Sequence, residues 1–311
     1  MTDQISYPDV VQLAVPLFIA LILAELLWIW LKGRGGRYET RDALSSLVMG
    51  AGNVAEGLVL GFVAWGLYMA LWQITPLDLG VGWWAIVLCF VLDDLRYYWV
   101  HRFGHRSRWV WASHVNHHSS QHYNLATALR QTWTGTFTFM MVVRAPLILL
   151  GFHPAMVVFV GGLNLIYQFW IHTEAIGRLP RWIEAVMNTP SHHRVHHGRN
   201  ARYLDVNYAG VFIVWDKLFG TYVPELDSEK PDYGLVHNLG TFNPLRIAFH
   251  EWVGIWRDVT QPGIPLKARF LYAFAPPGWS HDGSRETSVA IKRAHLLRHP
   301  EQRGTPGFKD L

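Results

Sequence analysis

The stretch His114-Val115-Asn116-His117-His118 decides how this chain is read. Residues three and four apart share a face of a helix, so this pattern projects imidazoles toward one another. The pattern returns as His193-Arg194-Val195-His196-His197. Just upstream of the first copy, His101-Arg102-Phe103-Gly104-His105 places two more histidines four apart. A lone histidine is more often a local hydrogen-bonding group, but eight in three correctly spaced groups point to metal. One zinc ion takes about four ligands, so the count fits two metal ions better.

Outward from these motifs the chain is apolar. Half of its 311 residues are hydrophobic and only 16% are charged, well below the share expected of a soluble domain. The apolar residues gather in long runs, and the 16 tryptophans and 12 tyrosines suit a membrane interface. Together with the helical histidine spacing, this predicts an all-α, multi-pass helical membrane protein with a cytoplasmic, histidine-rich catalytic cap. The net charge is +4, but its arginines follow the apolar runs and form no basic recognition tract, which argues against nucleic acid. Cys89 is the only cysteine, so there is no disulfide framework and no CxxC metal pair. Asp3 and Asp9, with no basic residue before position 11, do not form the start of a cleavable signal peptide.

Five apolar runs are expected to be helical, over residues 11–31, 54–72, 82–99, 134–150 and 154–171. The first is long enough for one crossing and carries Glu25 as its only charge; Pro16 is placed to kink it. Lys32, Arg34, Arg37 and Arg41 follow it and set that end on the cytoplasmic side. Arg96, Arg102, Arg106 and Arg108 mark the next cytoplasmic boundary. The last two runs, parted by Gly151-Phe152-His153-Pro154, form either two crossings or a helix pair within one leaflet. Gly161-Gly162 permits close packing between helices. Residues 244–257 have the pattern of an interfacial helix. The expected organisation is a membrane domain with its cap over 1–277 and a loosely ordered polar tail over 278–311.

Three blocks carry a family resemblance. They are Asp94 through His105, Trp111 through Ser120, and Asn188 through Asn200. In them the chain resembles the membrane fatty acid hydroxylase and sterol desaturase superfamily, over about residues 40–222. Tyr123 through Arg130, and Asn207-Tyr208-Ala209-Gly210 through Trp215-Asp216, look like the alkylglycerol monooxygenase relatives within it. His122 stands where those relatives usually carry an acidic residue. The resemblance implies two iron ions held by His101, His105, His114, His117, His118, His193, His196 and His197. His172, after the last apolar run, looks like a further ligand; His192 fits the spacing less well. Asp94, Glu174 and Asn207 are candidates to orient the ligand imidazoles.

Such a centre implies activation of O2 beside a lipid carbon and hydroxylation of a C–H bond in an ether lipid, sterol or fatty acyl substrate. Removal of a second hydrogen by the same centre would give desaturation instead. Metal transport or storage is the non-enzymatic alternative, disfavoured by the three histidine blocks and their resemblance and, more weakly, by the lack of an obvious polar path through the apolar runs. No dinucleotide or flavin fingerprint supplies electrons from within, so a reduced pterin or a redox protein is implied as external donor.

Overall fold

In a computed structural model, which describes residues 5–309, the chain is all-α. Only isolated β-bridges accompany the helices among the described residues. Asp3, part of the acidic N-terminal stretch, lies outside the described residues.

Two helices open the chain, α1 (Val10–Lys32) and α2 (Thr40–Ile74). Asp9 caps α1 through its side chain, and Gly33 ends it in the left-handed conformation that a glycine adopts without strain. Among the described residues these are the two helices long and apolar enough to cross a membrane, and most of their side chains are exposed. Glu25 is buried midway along this exposed surface. It accepts from the Leu125 amide at 2.8 Å and from the hydroxyls of Tyr38 and Thr173. The one carboxylate of the first run therefore ties α1 to the segments around Leu125 and Thr173 instead of standing exposed.

α3 (Trp83–Arg106) and α4 (Arg108–His118) follow, with Ser107 as the hinge. The second half of α3 carries Asp93, Asp94, Arg96, His101, Arg102 and His105, which explains why this third run lacks the apolarity of a crossing. The expected helix over 134–150 is not formed. Short 3-10 turns at Thr136–Thr138 and Val142–Arg144 lead into a five-residue α5 (Ala145–Leu149). Threonine side chains there bond the local backbone, as Thr138 does with the Gly135 carbonyl at 2.8 Å, and compete with helix bonding. Phe139 also sits at φ 56°, which ends any helical run. α6 (Pro154–Trp170) forms as expected, although its 17 residues leave it shorter than α1 and α2. The Gly161-Gly162 pair permits close approach: a Cβ at Gly161 would stand 2.8 Å from the Arg144 guanidinium, and one at Gly162 2.7 Å from Val10.

The cap is built from short helices, α7 (Arg181–Val186), α8 (Pro190–His196) and α9 (Val214–Leu218). α10 (Pro244–Val259) and α11 (Leu266–Phe274) pack against α4. Ile247, Ala248 and Ile255 of α10 face inward, while Leu245, Phe249, Val253 and Trp256 stay exposed. The amphipathic pattern expected over 244–257 is therefore present.

The 278–311 segment departs from the expectation of loose order. α12 (Ser288–Arg298) and the turn after it fold onto Arg202. Phe308 is fully buried between that guanidinium and the His295 ring. Arg285 joins the buried Asp258 of α10. Polar composition alone hid one buried aromatic and one ion pair that anchor the segment.

Candidate metal centre

Each half of the repeated motif divides between two clusters. His101 and His105 of α3, His114 and His118 of α4, and His196 of α8 form one group. His117 of α4, His172 just after α6, and His193 and His197 at the end of α8 form the other. Within each group one ring nitrogen per residue lies within 4.8 Å of the rest. Helix geometry explains the division. Positions i and i+4 lie on nearly the same bearing, while i+3 falls to the other side. In α4 the i and i+4 histidines serve the group of five and i+3 the group of four; in α8 the assignment is reversed. The groups meet where the His118 and His197 rings stack with centroids 4.4 Å apart. All nine residues that the sequence singles out are thus brought together.

The tautomers follow from the backbone. Nδ1 of His101 donates to the Tyr208 carbonyl at 2.8 Å, that of His196 to Val206 at 3.0 Å, and that of His172 to Gln168 at 2.7 Å. A neutral imidazole has one proton, so Nε2 in each of these rings is a bare lone pair. Yet His172 Nε2 lies 3.1 Å from His117 Nε2 and 3.0 Å from His193 Nε2, and His196 Nε2 is buried with no hydrogen-bond partner. A cation among these closely gathered nitrogens would satisfy the lone pairs that no N–H reaches, so the donor set fits a metal in each group.

Electrostatics agree. Burial, reinforced by neighbouring imidazoles, holds His114, His117, His118, His193, His196 and His197 well below the ordinary imidazole range. They are therefore neutral at physiological pH, the form that binds a metal.

The expected orienting residues are displaced by others. Asp94 accepts from the amides of Val211 and Phe212, the Trp215 indole and the Asn164 amide. Asn207 bonds the backbone of His192 and Val223, and Glu174 accepts from Tyr233. None of the three hydrogen-bonds an imidazole. The 205–208 segment does that work through the Val206 and Tyr208 carbonyls, with Asp205 at 3.3 Å from His105 Nδ1. Backbone carbonyls carry no sequence signal. The one hint is that Asp205 and Asn207, both residue types that tolerate left-handed backbone, sit there at φ 52° and 55°.

His192 and His122 stand apart from both groups. His192 lies 3.6 Å from Glu184, and His122 4.0 Å from Asp42. His122 lines a cavity of about 340 Å3 with Arg34, Arg37, Tyr123, Glu174 and Tyr233. The Tyr123 ring, which forms part of its wall, stacks on His172 with centroids 5.7 Å apart.

These features define an all-α protein with two adjoining histidine clusters, each able to coordinate a metal ion. The profile of the family described as fatty acid hydroxylase matches residues 86–221. An alkylglycerol monooxygenase of Homo sapiens is 43% identical over 279 residues, 88% of this chain and 60% of that protein. Its counterpart in Caenorhabditis elegans is 34% identical over 84% of this chain and 53% of its own length. An ornithine lipid hydroxylase of Rhizobium tropici is 26% identical over 48% of this chain and 45% of its own. The chain belongs to the fatty acid hydroxylase and sterol desaturase superfamily and is closely related to the alkylglycerol monooxygenases. It spans 53–63% of the length of the alkylglycerol monooxygenases of Homo sapiens, Danio rerio, Xenopus tropicalis and Caenorhabditis elegans. No solved structure matches it significantly.

Proposed function

We propose that this chain is a di-iron monooxygenase that uses O2 to hydroxylate a C–H bond of a membrane lipid, with ether lipids of the alkylglycerol type as its substrate class. The observation that carries this reading is the convergence of nine imidazoles into groups of five and four. Relatives named for alkylglycerol oxidation support the substrate class. Bound there, two iron ions would supply the redox chemistry needed at an unactivated carbon. The chain's own part is to fix the tautomers through the Tyr208, Val206 and Gln168 carbonyls and to keep the imidazoles dry. Hydroxylation needs two electrons and two protons beyond those of the substrate. The cavity beside Tyr123, one stacked ring from His172, gives an external planar reductant such as a reduced pterin a place to deliver them.

The membrane reading rests on α1 and α2 as crossings, with the exposed faces of α10 and α11 in the interface. On α11, Leu266, Phe270 and Phe274 continue the apolar face of α10. The basic connection between α1 and α2 packs on the cap: a Cβ at Gly35 would stand 3.0 Å from Ala175, and one at Gly36 3.4 Å from the Tyr123 carbonyl. Positive-inside bias then sets this connection and the imidazoles together on the cytoplasmic side.

The test uses the iron-loaded full chain in nanodiscs with an alkylglycerol, a reductant and 18O2. One 18O atom in the lipid product is expected. Unchanged lipid in the presence of two bound irons and consumed reductant would refute the assignment, and loss of two hydrogens without oxygen would make the protein a desaturase.

A further inference from the structure

A second cavity of about 340 Å3 adjoins the group of five, between the end of α3, the 219–223 segment and the start of α12. Five cationic side chains line it, Arg102, Arg106, Lys292, Arg293 and Lys309, against one carboxylate, Asp205. That single carboxylate is shared by His105, Ser288 and Arg106, so the lining keeps an excess of positive charge. Elsewhere in the cap, buried arginines meet carboxylates: Arg108 pairs with Glu251 and Asp258, Arg130 with Asp42, Arg194 with Glu225, and Arg202 with Glu229. Here Arg106 faces the shared Asp205 and Tyr208, and Arg102 donates to the Tyr98 hydroxyl at 3.0 Å. Arg293 and Lys309 form no ion pair among the described residues, although all four surround one space. Five cations against one carboxylate give the cavity a positive potential that attracts an anion.

We propose that this cavity binds a phosphate-bearing anion. Guanidinium forks and an ammonium group are the donors suited to phosphate oxygens. Ser288 and Val289, which open the 11-residue α12, also line the space and add the favourable field of a helix start. The volume exceeds that of a bare phosphate and accommodates a small phosphate monoester. The rim is apolar: Trp99, Phe103 and Leu218 are exposed close by, and Trp99 packs on Phe219 of the cavity wall at 4.8 Å. A phosphorylated lipid headgroup is therefore favoured over a soluble metabolite. Asp205 is shared by the cavity wall and His105, so the bound charge is felt at the group of five. The site is independent of the lipid-oxidising reading and stands if that reading fails.

Two arms distinguish the sources, both with the full chain. In phosphate-free detergent, inorganic phosphate and glycerol 3-phosphate are titrated calorimetrically at constant ionic strength. In nanodiscs, enrichment of phosphatidic acid over phosphatidylcholine is read by mass spectrometry of the retained lipid. Arg293→Gln with Lys309→Gln changes two exposed side chains away from the imidazoles, and unchanged metal content verifies its fold. Arg106→Gln is the second variant. We expect one saturable site per chain, weakened by about tenfold or more in the double variant. Calorimetric binding would identify a soluble source, and phosphatidic acid enrichment without it a lipid source. Absence of saturable binding in both arms, or binding by both variants as tight as that of the unaltered chain, overturns the proposal.

Discussion

At the scale of single residues, the site is a matter of which ring nitrogen is bare. The i, i+3 and i+4 spacing made the imidazoles legible in the sequence, because helix geometry alone brings such side chains together. Which cluster each bearing serves was not legible, since that depends on the angle at which α3, α4 and α8 meet. Nor were the Val206, Tyr208 and Gln168 carbonyls, which any residue type would present equally. The division makes a specific prediction for two neighbours in the chain. His196→Ala takes a donor from the group of five, and His197→Ala takes one from the group of four. Each should reduce turnover by about 100-fold or more, and each should depress the occupancy of a different metal position. Metal analysis with anomalous scattering reads this directly. Two full positions with normal turnover in either variant would remove that residue from the ligand set.

At the scale of elements, the structure depends on a clamp between α3 and the segment before α9. Asp94 gathers the Val211 and Phe212 amides and the Trp215 indole, while Asp216 accepts from the Tyr208 and Ala209 amides at 2.8 Å each. The carbonyls that orient His101 and His196 are held in place by these two carboxylates. Asp94 was visible in the sequence as a candidate to orient an imidazole and Trp215-Asp216 only as part of a family resemblance; in the structure they pin a loop. Gly210 lies inside the clamp, where a Cβ would stand 2.7 Å from Asp94 Oδ1 and 2.8 Å from Asn164 Oδ1. Gly210→Ala should therefore cost about 1–3 kcal/mol of stability and loosen metal binding with it. Thermal unfolding of the metal-loaded protein checks both, and an unchanged midpoint would show that the clamp yields freely. The 134–150 run illustrates the opposite failure. Its hydropathy implied a helix, yet threonine side chains and the left-handed Phe139 divided it into turns. Hydropathy reports burial or lipid exposure, and only local backbone competition tells which runs remain helical.

At the scale of the molecule, the cap is a neutral pocket for nitrogen donors, and acid should empty it. Imidazoles of α4 and α8 are held well below the ordinary value of about 6.5, so the unfolded chain binds protons there that the folded chain refuses. Stability and metal retention are then full above that value and fall as pH drops through it, steeply because several groups act together. Metal retained unchanged from about pH 8 to pH 5 would contradict this. Sidedness is the remaining global property, and α2 frames it. Its 35 residues extend about 50 Å at 1.5 Å per residue, well beyond a hydrocarbon core of about 30 Å. The excess is accounted for at its start, where Asp42, Ser45, Ser46 and Met49 are buried against the cap, and Asp42 receives Arg130. From there to Ile74 the helix is free to cross. If α1 and α2 both cross, the connection between them and the cap share one face, and the turn after α2 reaches the other. Single cysteines replacing Arg34, Asp78 and Asp227, in a Cys89→Ser background, test this with an impermeant thiol reagent. Arg34→Cys and Asp227→Cys should react from the cytoplasmic side and Asp78→Cys from the opposite one. Reaction of positions 34 and 227 from opposite faces would separate the basic connection from the imidazole cap, and the proposed orientation would fall with it.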